Sequence, residues 1–183
     1  MLVKTGASAL SRFRLEKLLE RLQAVLPAVA GVEARYVHLV DVAGEPDPAA
    51  AAVLDRLLTY GPREDLETPA VAGDTASLLV VPRFGTLSPW ASKATDIARG
   101  CGLTQVRCIE RGIRYTFRSS RPLSTAELQR LAAPLHDRMT ESVVLDETEA
   151  SRLFAHTAPR ELSTVPVMAN GRQALEQANA ALG

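Results

Sequence analysis

The six residues SLLVVP, Ser77 to Pro82, place the tightest demand on the fold of this chain. The run is short and does not alternate, so it reads as a strand with apolar side chains on both faces. Such a strand is stable only when a layer covers each side of its sheet. Pro82 closes it, because proline brings no N–H to a further ladder bond. The neighbouring segments must supply those layers.

MLVKTG is short enough for an edge strand. Ser8 or Ser11 then caps a helix running to about Leu26. Its apolar residues Leu15, Leu18, Leu19, Leu22 and Leu26 recur at helical spacing, with Arg12, Glu16, Lys17 and Glu20 outside that stripe. Pro27 and Gly31 stop it. VEARYVHLVDV alternates, which puts Val32, Ala34, Tyr36, His38, Val40 and Val42 on one strand face. Asp47-Pro48 opens a second helix through AAAAVLDRLL to Gly61-Pro62. REDLETPAVAGD is polar and without period, the composition of a linker.

Ser88 caps a third helix, with Pro89 at its first position and Gly100 or Gly102 at its end. QVRCIERGIRYTFRS reads as a hairpin turning near Arg111-Gly112, with Ile113, Tyr115 and Phe117 alternating against Arg114, Thr116 and Arg118. Ser124 and Glu127 form a capping box for a fourth helix that carries Leu128, Leu131, Leu135 and Met139 and is kinked by Pro134. ESVVL is a closing strand. The fold class is therefore α+β, one strand-helix-strand-helix unit used twice, near 1–66 and 76–146. The repeat lies in the order of elements, not in residue identity. After Leu145 the texture changes to a short helix, extended polar chain and a helix restarting from Asn170. This tail, 147–183, has little core of its own, and it is expected to pack poorly and to lie along another surface.

Composition excludes several classes. The 21 basic and 21 acidic residues cancel, so no excess charge advertises nucleic acid or a membrane surface as partner. Aromatics make up only 4%, which weakens any base-stacking role. Cys101 and Cys108 stand seven apart, a spacing that fits neither a redox pair nor a zinc knuckle, and they read as reduced structural thiols. No apolar run is long enough to span a bilayer, and the start becomes charged too soon for a signal peptide. The expected location is the cytoplasm.

Common catalytic signatures are missing: no Gly-Lys-Ser/Thr phosphate loop, no His-Glu-x-x-His and no Gly-x-Ser-x-Gly. His38, His136 and His156 lie on separate segments without ligand spacing, and His38 suits a hydrogen-bonded core position. No metal or catalytic residue is assigned. Of the arginines Arg107, Arg111, Arg114, Arg118 and Arg121, only Arg111 has a place suited to touching a partner, at the expected turn tip. The helix from Ser88 has two readings. Its free N–H groups suit an anion, the mark of a free-standing ligand-binding regulatory module with paired α+β repeats. Alternatively Ser88 caps, Pro89 starts the helix and Trp90 packs.

PRFGTLSPWASKATDIARGCGL, Arg83 to Leu103 at its core, closely resembles the N-terminal domain of the large single-chain phosphoribosylformylglycinamidine synthases. IERG (Ile109–Gly112), LHDRMTE (Leu135–Glu141), LFAH (Leu153–His156), the start LVKTGASALSRFRLEKLL, YVHLVDV and the terminal GRQALEQANAALG extend the likeness over essentially the whole chain. The resemblance implies a purine-biosynthesis enzyme that uses glutamine as ammonia source, with ATP and magnesium, to turn a formylglycinamide ribonucleotide into its amidine. It places that chemistry in later synthetase and glutaminase domains, so this segment itself holds no cofactor. It also implies a domain similar to a dimer of the small PurS subunit of the multi-subunit enzyme, with residues from 147 leading toward a synthetase domain. The implied role is to hold synthetase and glutaminase in register for ammonia transfer. Thr86, Ser88, Trp90, Lys93, Thr95, Asp96, Arg111 and Arg138 are the residues expected at that docking surface.

Overall fold

The computed structural model describes residues 1–61, 73–155 and 161–182. Five strands form one sheet: β1 (Leu2–Ser8), β2 (Val29–Val42), β3 (Asp74–Pro82), β4 (Val106–Ser119) and β5 (Glu141–Val144). Their order is β1-β2-β4-β3-β5, and every neighbouring pair is antiparallel. Between them run α1 (Arg12–Val25), α2 (Pro48–Leu58), α3 (Pro89–Gly100) and α4 (Thr125–Ala132). A 3-10 segment (Glu147–Phe154) and α5 (Val167–Leu182) follow the sheet. The class is α+β, as the sequence implies.

Side-chain caps set most of the helix starts. The Asp47 carboxylate accepts from Ala50 N, and Ser88 Oγ accepts from Ala91 N, each with proline next in the chain. Ser124 and Glu127 make the full reciprocal capping box. Ser11 holds the cap position of α1 but makes no side-chain cap bond.

These starts also expose the repeat. Ser88 follows Ser11 by 77 positions, Val106 follows Val29 by the same interval, and so does Ser124 after Asp47. β2 and β4 are both 14 residues long and lie side by side at the centre of the sheet, with β1 and β3 on their outer flanks. Tyr36 and Ile113, again 77 apart, are direct cross-strand partners. The two halves are thus related by an approximate two-fold through that pair.

The apolar run of β3 does send side chains both ways. Leu78 and Val80 join Val32, Ala34, Tyr115 and Phe117 beneath Leu18 and Leu22 of α1 and Leu131 of α4. Leu79 and Val81 meet Val37 and Leu39 on the other face, where Ala150 and Leu153 of the 3-10 segment cover them. A third cluster packs Leu54 and Leu58 of α2 and Ala98 of α3 on Val40 and Ile109. The tail after Leu145 therefore packs unevenly: its first turns close the second face, whereas α5 buries only Ala174. Gly171 breaks α5 with φ 53, so the regular helix begins next to the expected restart at Asn170.

Two expectations are corrected. There is no hairpin at Arg111-Gly112, because β4 runs unbroken from Val106 to Ser119 between β2 and β3. Gly112 keeps an ordinary φ; a Cβ there would sit 2.6 Å from the Val80 carbonyl oxygen, so glycine serves close approach of two strands and not a turn. Nor does α4 continue through Pro134 with a kink. It ends at Ala132, two residues before the proline, and Met139 lies beyond it, 72% exposed. Most of the linker, 62–72, and His156 lie outside the described residues.

Gly112→Ala is expected to cost about 1–3 kcal/mol, since the obstacle is backbone and cannot swing aside. Gly100→Ala, with nothing within 4 Å of its Cβ, is expected to leave stability unchanged or slightly raised. Urea unfolding of the two variants measures the contrast.

Candidate functional site

The middle of β4, Glu110-Arg111-Gly112, organises the surroundings of α3. Alternation sends Glu110 to one face of the sheet and Arg111 to the other. Glu110 is 1% exposed, and its carboxylate accepts from Ser88 N at 3.0 Å and from Ser88 Oγ at 2.7 Å. Ser88 Oγ in turn accepts from Ala91 N at 3.0 Å. A buried negative group at the positive end of a helix is favourable on both counts. A second tie lies about two turns on, where the buried Thr95 Oγ1 accepts from Ile109 N at 3.0 Å. The pairing of β3 with β4 stops at Val80 and Ile113, so α3 satisfies backbone that the sheet leaves open.

On the opposite face Arg111 lies over two aromatic rings, 4.3 Å from the centre of Tyr36 and 4.7 Å from that of Trp90. Its Nη1 donates to the Tyr60 hydroxyl at 3.2 Å. His38 is fully buried, stacks on Trp90 with ring centres 5.7 Å apart, and has Nε2 2.7 Å from the same hydroxyl. Burial, and then the Arg111 charge, lower the His38 pKa from 6.5 to about 4. The ring is therefore neutral at pH 7. The Tyr60 hydroxyl donates to Nε2 and keeps its oxygen for Arg111, which puts the ring proton on Nδ1 by inference from this network. The nearby Lys4 backbone opposes the shift, although Nδ1 makes no hydrogen bond of normal geometry.

A cavity of about 560 Å³ opens beside this cluster, with Tyr36, Arg111, Ser88 and Thr86 among its walls. A smaller groove of about 250 Å³ runs between α2 and α3 past Tyr60, Trp90, Lys93 and Ile97. The family described as Formylglycinamide ribonucleotide amidotransferase N-terminal matches residues 35–154, from β2 through the 3-10 segment. The chain belongs to that family. It is accordingly an N-terminal segment of an enzyme of purine biosynthesis, and the match contains the whole Glu110, Arg111 and Trp90 arrangement while leaving out α1 and α5.

In this amidotransferase segment the residues expected at a docking surface fall into groups. Thr86, Ser88 and Arg111 share the 560 Å³ cavity. Trp90 and Lys93 share the wall of the smaller groove, as their helical spacing implies. Trp90 is only half-buried but packs against the cluster around Leu58 and Ile109, so it serves the domain's own core as well. Thr95 is turned inward to β4 and is no rim residue. Asp96 is exposed on α3 and lines a further cavity of about 590 Å³ together with Thr86 and Thr95, whereas Arg138 is exposed in the turn after α4, outside the linings of all three cavities. Arg111 lines its cavity from mid-strand and not from a turn tip.

Sequence reasoning missed Glu110, Tyr36 and Tyr60 as members of the site. One signal was present: Glu110 stands between Cys108 and Gly112 on a strand face of small residues, a place where a carboxylate can be reached from an adjoining helix. The arginine series divides, since Arg114 leaves the opposite face from Arg111 and pairs with Glu147. Burial, and then Glu110, raise the Cys108 thiol pKa, while Cys101 is exposed at the end of α3. Cys108 therefore lacks the low-pKa setting of a nucleophile. His136 Nδ1 lies 2.7 Å from the Ala132 carbonyl oxygen, which accounts for it structurally.

The His38 shift has a definite sign. A histidine with a depressed folded pKa binds fewer protons folded than unfolded between about 4 and 6.5. Its contribution is complete above pH 6.5, declines as pH falls toward 4, and is flat below, on the order of 3 kcal/mol in all. Urea unfolding at pH 7 and pH 4.5 is expected to show this loss in the parent chain. His38→Gln should remove that part of the slope.

Proposed function

We propose that this chain is the assembly domain of a glutamine-dependent phosphoribosylformylglycinamidine synthase, a PurS-dimer-like unit spanning residues 1–146 whose following segment leads toward the synthetase domain. It holds synthetase and glutaminase domains of the same chain in register so that ammonia passes between them. The observation that carries this reading is the rigid surface made by Arg111, Trp90 and Tyr36 beside the locked start of α3. It presents aromatic and guanidinium groups typical of binding hot spots, without an activated nucleophile or acid–base pair among them. The reaction takes place in the cytoplasm.

ATP and magnesium belong, on this reading, to parts of the enzyme outside these residues. The fit here is poor for a physical reason: the helix start beside the 560 Å³ cavity already holds the Glu110 carboxylate, which would repel a triphosphate. Among the described residues no group of three or more His, Cys, Asp or Glu side chains is arranged to hold a metal ion. The same carboxylate weighs against a regulatory module with an anion site at Ser88, because the N–H and hydroxyl that would greet the anion are taken.

In the full-length enzyme, Lys93→Ala is expected to lower product formed per glutamine hydrolysed about fivefold or more, with ATP binding little changed. Lys93 is the cleaner arm because it is exposed, whereas Trp90→Ala should reduce coupling and also lower the melting temperature of the 183-residue chain. The chain alone should show no glutaminase or ATPase turnover. Coupling untouched by Lys93→Ala, with Trp90→Ala acting on stability alone, contradicts the docking role.

A further inference from the structure

We infer that Arg111 is the receptor for a single carboxylate side chain carried by a partner polypeptide segment that seats in the 560 Å³ cavity; this rests on the assembly role proposed above. A guanidinium offers five N–H donors in a fixed fork. Among the described residues Arg111 uses one of them, on Tyr60, and has no carboxylate oxygen within ion-pair distance. The nearest acid in sequence, Glu110, leaves the other face of the strand and is engaged by Ser88. Tyr36 and Trp90 hold the guanidinium plane and shield it from water, which leaves its edges as the places for a ligand. A half-buried cation with spare donors gains most from a charged acceptor that completes its hydrogen bonds.

The cavity's other features choose among anions. Its charged lining residues are Arg83, Arg111 and Glu141, and the Glu110 carboxylate stands just behind Ser88, so the two cations are nearly balanced and a multiply charged phosphate is disfavoured more than a single carboxylate. Two large apolar side chains in its lining are mostly exposed, Leu87 at 63% and Met139 at 72%. Apolar ridges around one cationic group match a segment with an acidic side chain between apolar neighbours.

The chain carries its own reporter, because Trp90, stacked by Arg111, is its single tryptophan. The 183-residue chain is titrated with acetyl-Leu-Glu-Leu-amide, with the same peptide bearing Gln for Glu, and with inorganic phosphate, following Trp90 emission. The expected result is saturable change with the Glu peptide at about tenfold lower concentration than with the Gln peptide. That preference should vanish in Arg111→Gln and survive in Arg83→Gln. The Glu-against-Gln comparison is made on the parent chain, so it stands even if Arg111→Gln folds poorly. Equal response to the two peptides, or a tighter response to phosphate, overturns the proposal. Loss of coupling in full-length Arg111→Gln, together with no Glu preference in the isolated chain, would keep the assembly role and remove the carboxylate.

Discussion

A buried carboxylate joins the central strand of this domain to its most distinctive helix. Glu110 is removed from solvent, and among the described residues its bonds to Ser88 N and Oγ offset that desolvation. The start of α3 has therefore one favourable position over the sheet. Thr95 fixes the helix about two turns on, and the two ties together set where Trp90 stands. Trp90 then forms a wall for Arg111, Arg111 holds Tyr60, and Tyr60 satisfies Nε2 of the neutral His38. A chain of contacts thus runs from one face of β4 around α3 to the other face.

The 77-residue repeat shows how far this arrangement belongs to one half. The position matching Ser88 is Ser11, which makes no side-chain cap bond, and that matching Trp90 is Phe13, 64% exposed with Lys17 over its ring. Glu33 stands where Glu110 does, yet it does not reach the start of α1 among the described hydrogen bonds. The approximate two-fold relates the backbone, while among the described residues the polar lock of Glu110 on Ser88 is confined to the second half, and the aromatic clamp joins Trp90 and Arg111 of that half to Tyr36 and Tyr60 of the first.

Much of this was legible in the sequence, for reasons that differ by element. Caps are local chemistry, so Asp47-Pro48, Ser88-Pro89 and Ser124 with Glu127 mark helix starts without knowledge of the fold. The non-alternating run in β3 announced two covered faces, although not that Ala150 and Leu153 of the tail would cover one of them. The failures share a cause. Gly112 beside a charged residue looks like a turn, and only the Val80 carbonyl across the sheet reveals why glycine is required. Glu110 on an alternating strand looks solvated until a helix some twenty residues earlier returns to meet it. Tertiary partners decided these positions, and no local pattern contains them.

The account depends on Glu110 holding α3 in place, and Glu110→Ala tests that most directly. Trp90, 20 residues away in sequence and on the far side of the strand, reports the outcome through its emission, and urea unfolding gives the stability. If the carboxylate positions the helix, the variant loses about 3 kcal/mol, as expected for two charge-assisted bonds in a buried site, and Trp90 emission shifts to the red in the still-folded chain. An unchanged emission maximum with an unchanged unfolding midpoint would show that α3 is placed by its apolar contacts alone, and would contradict the account.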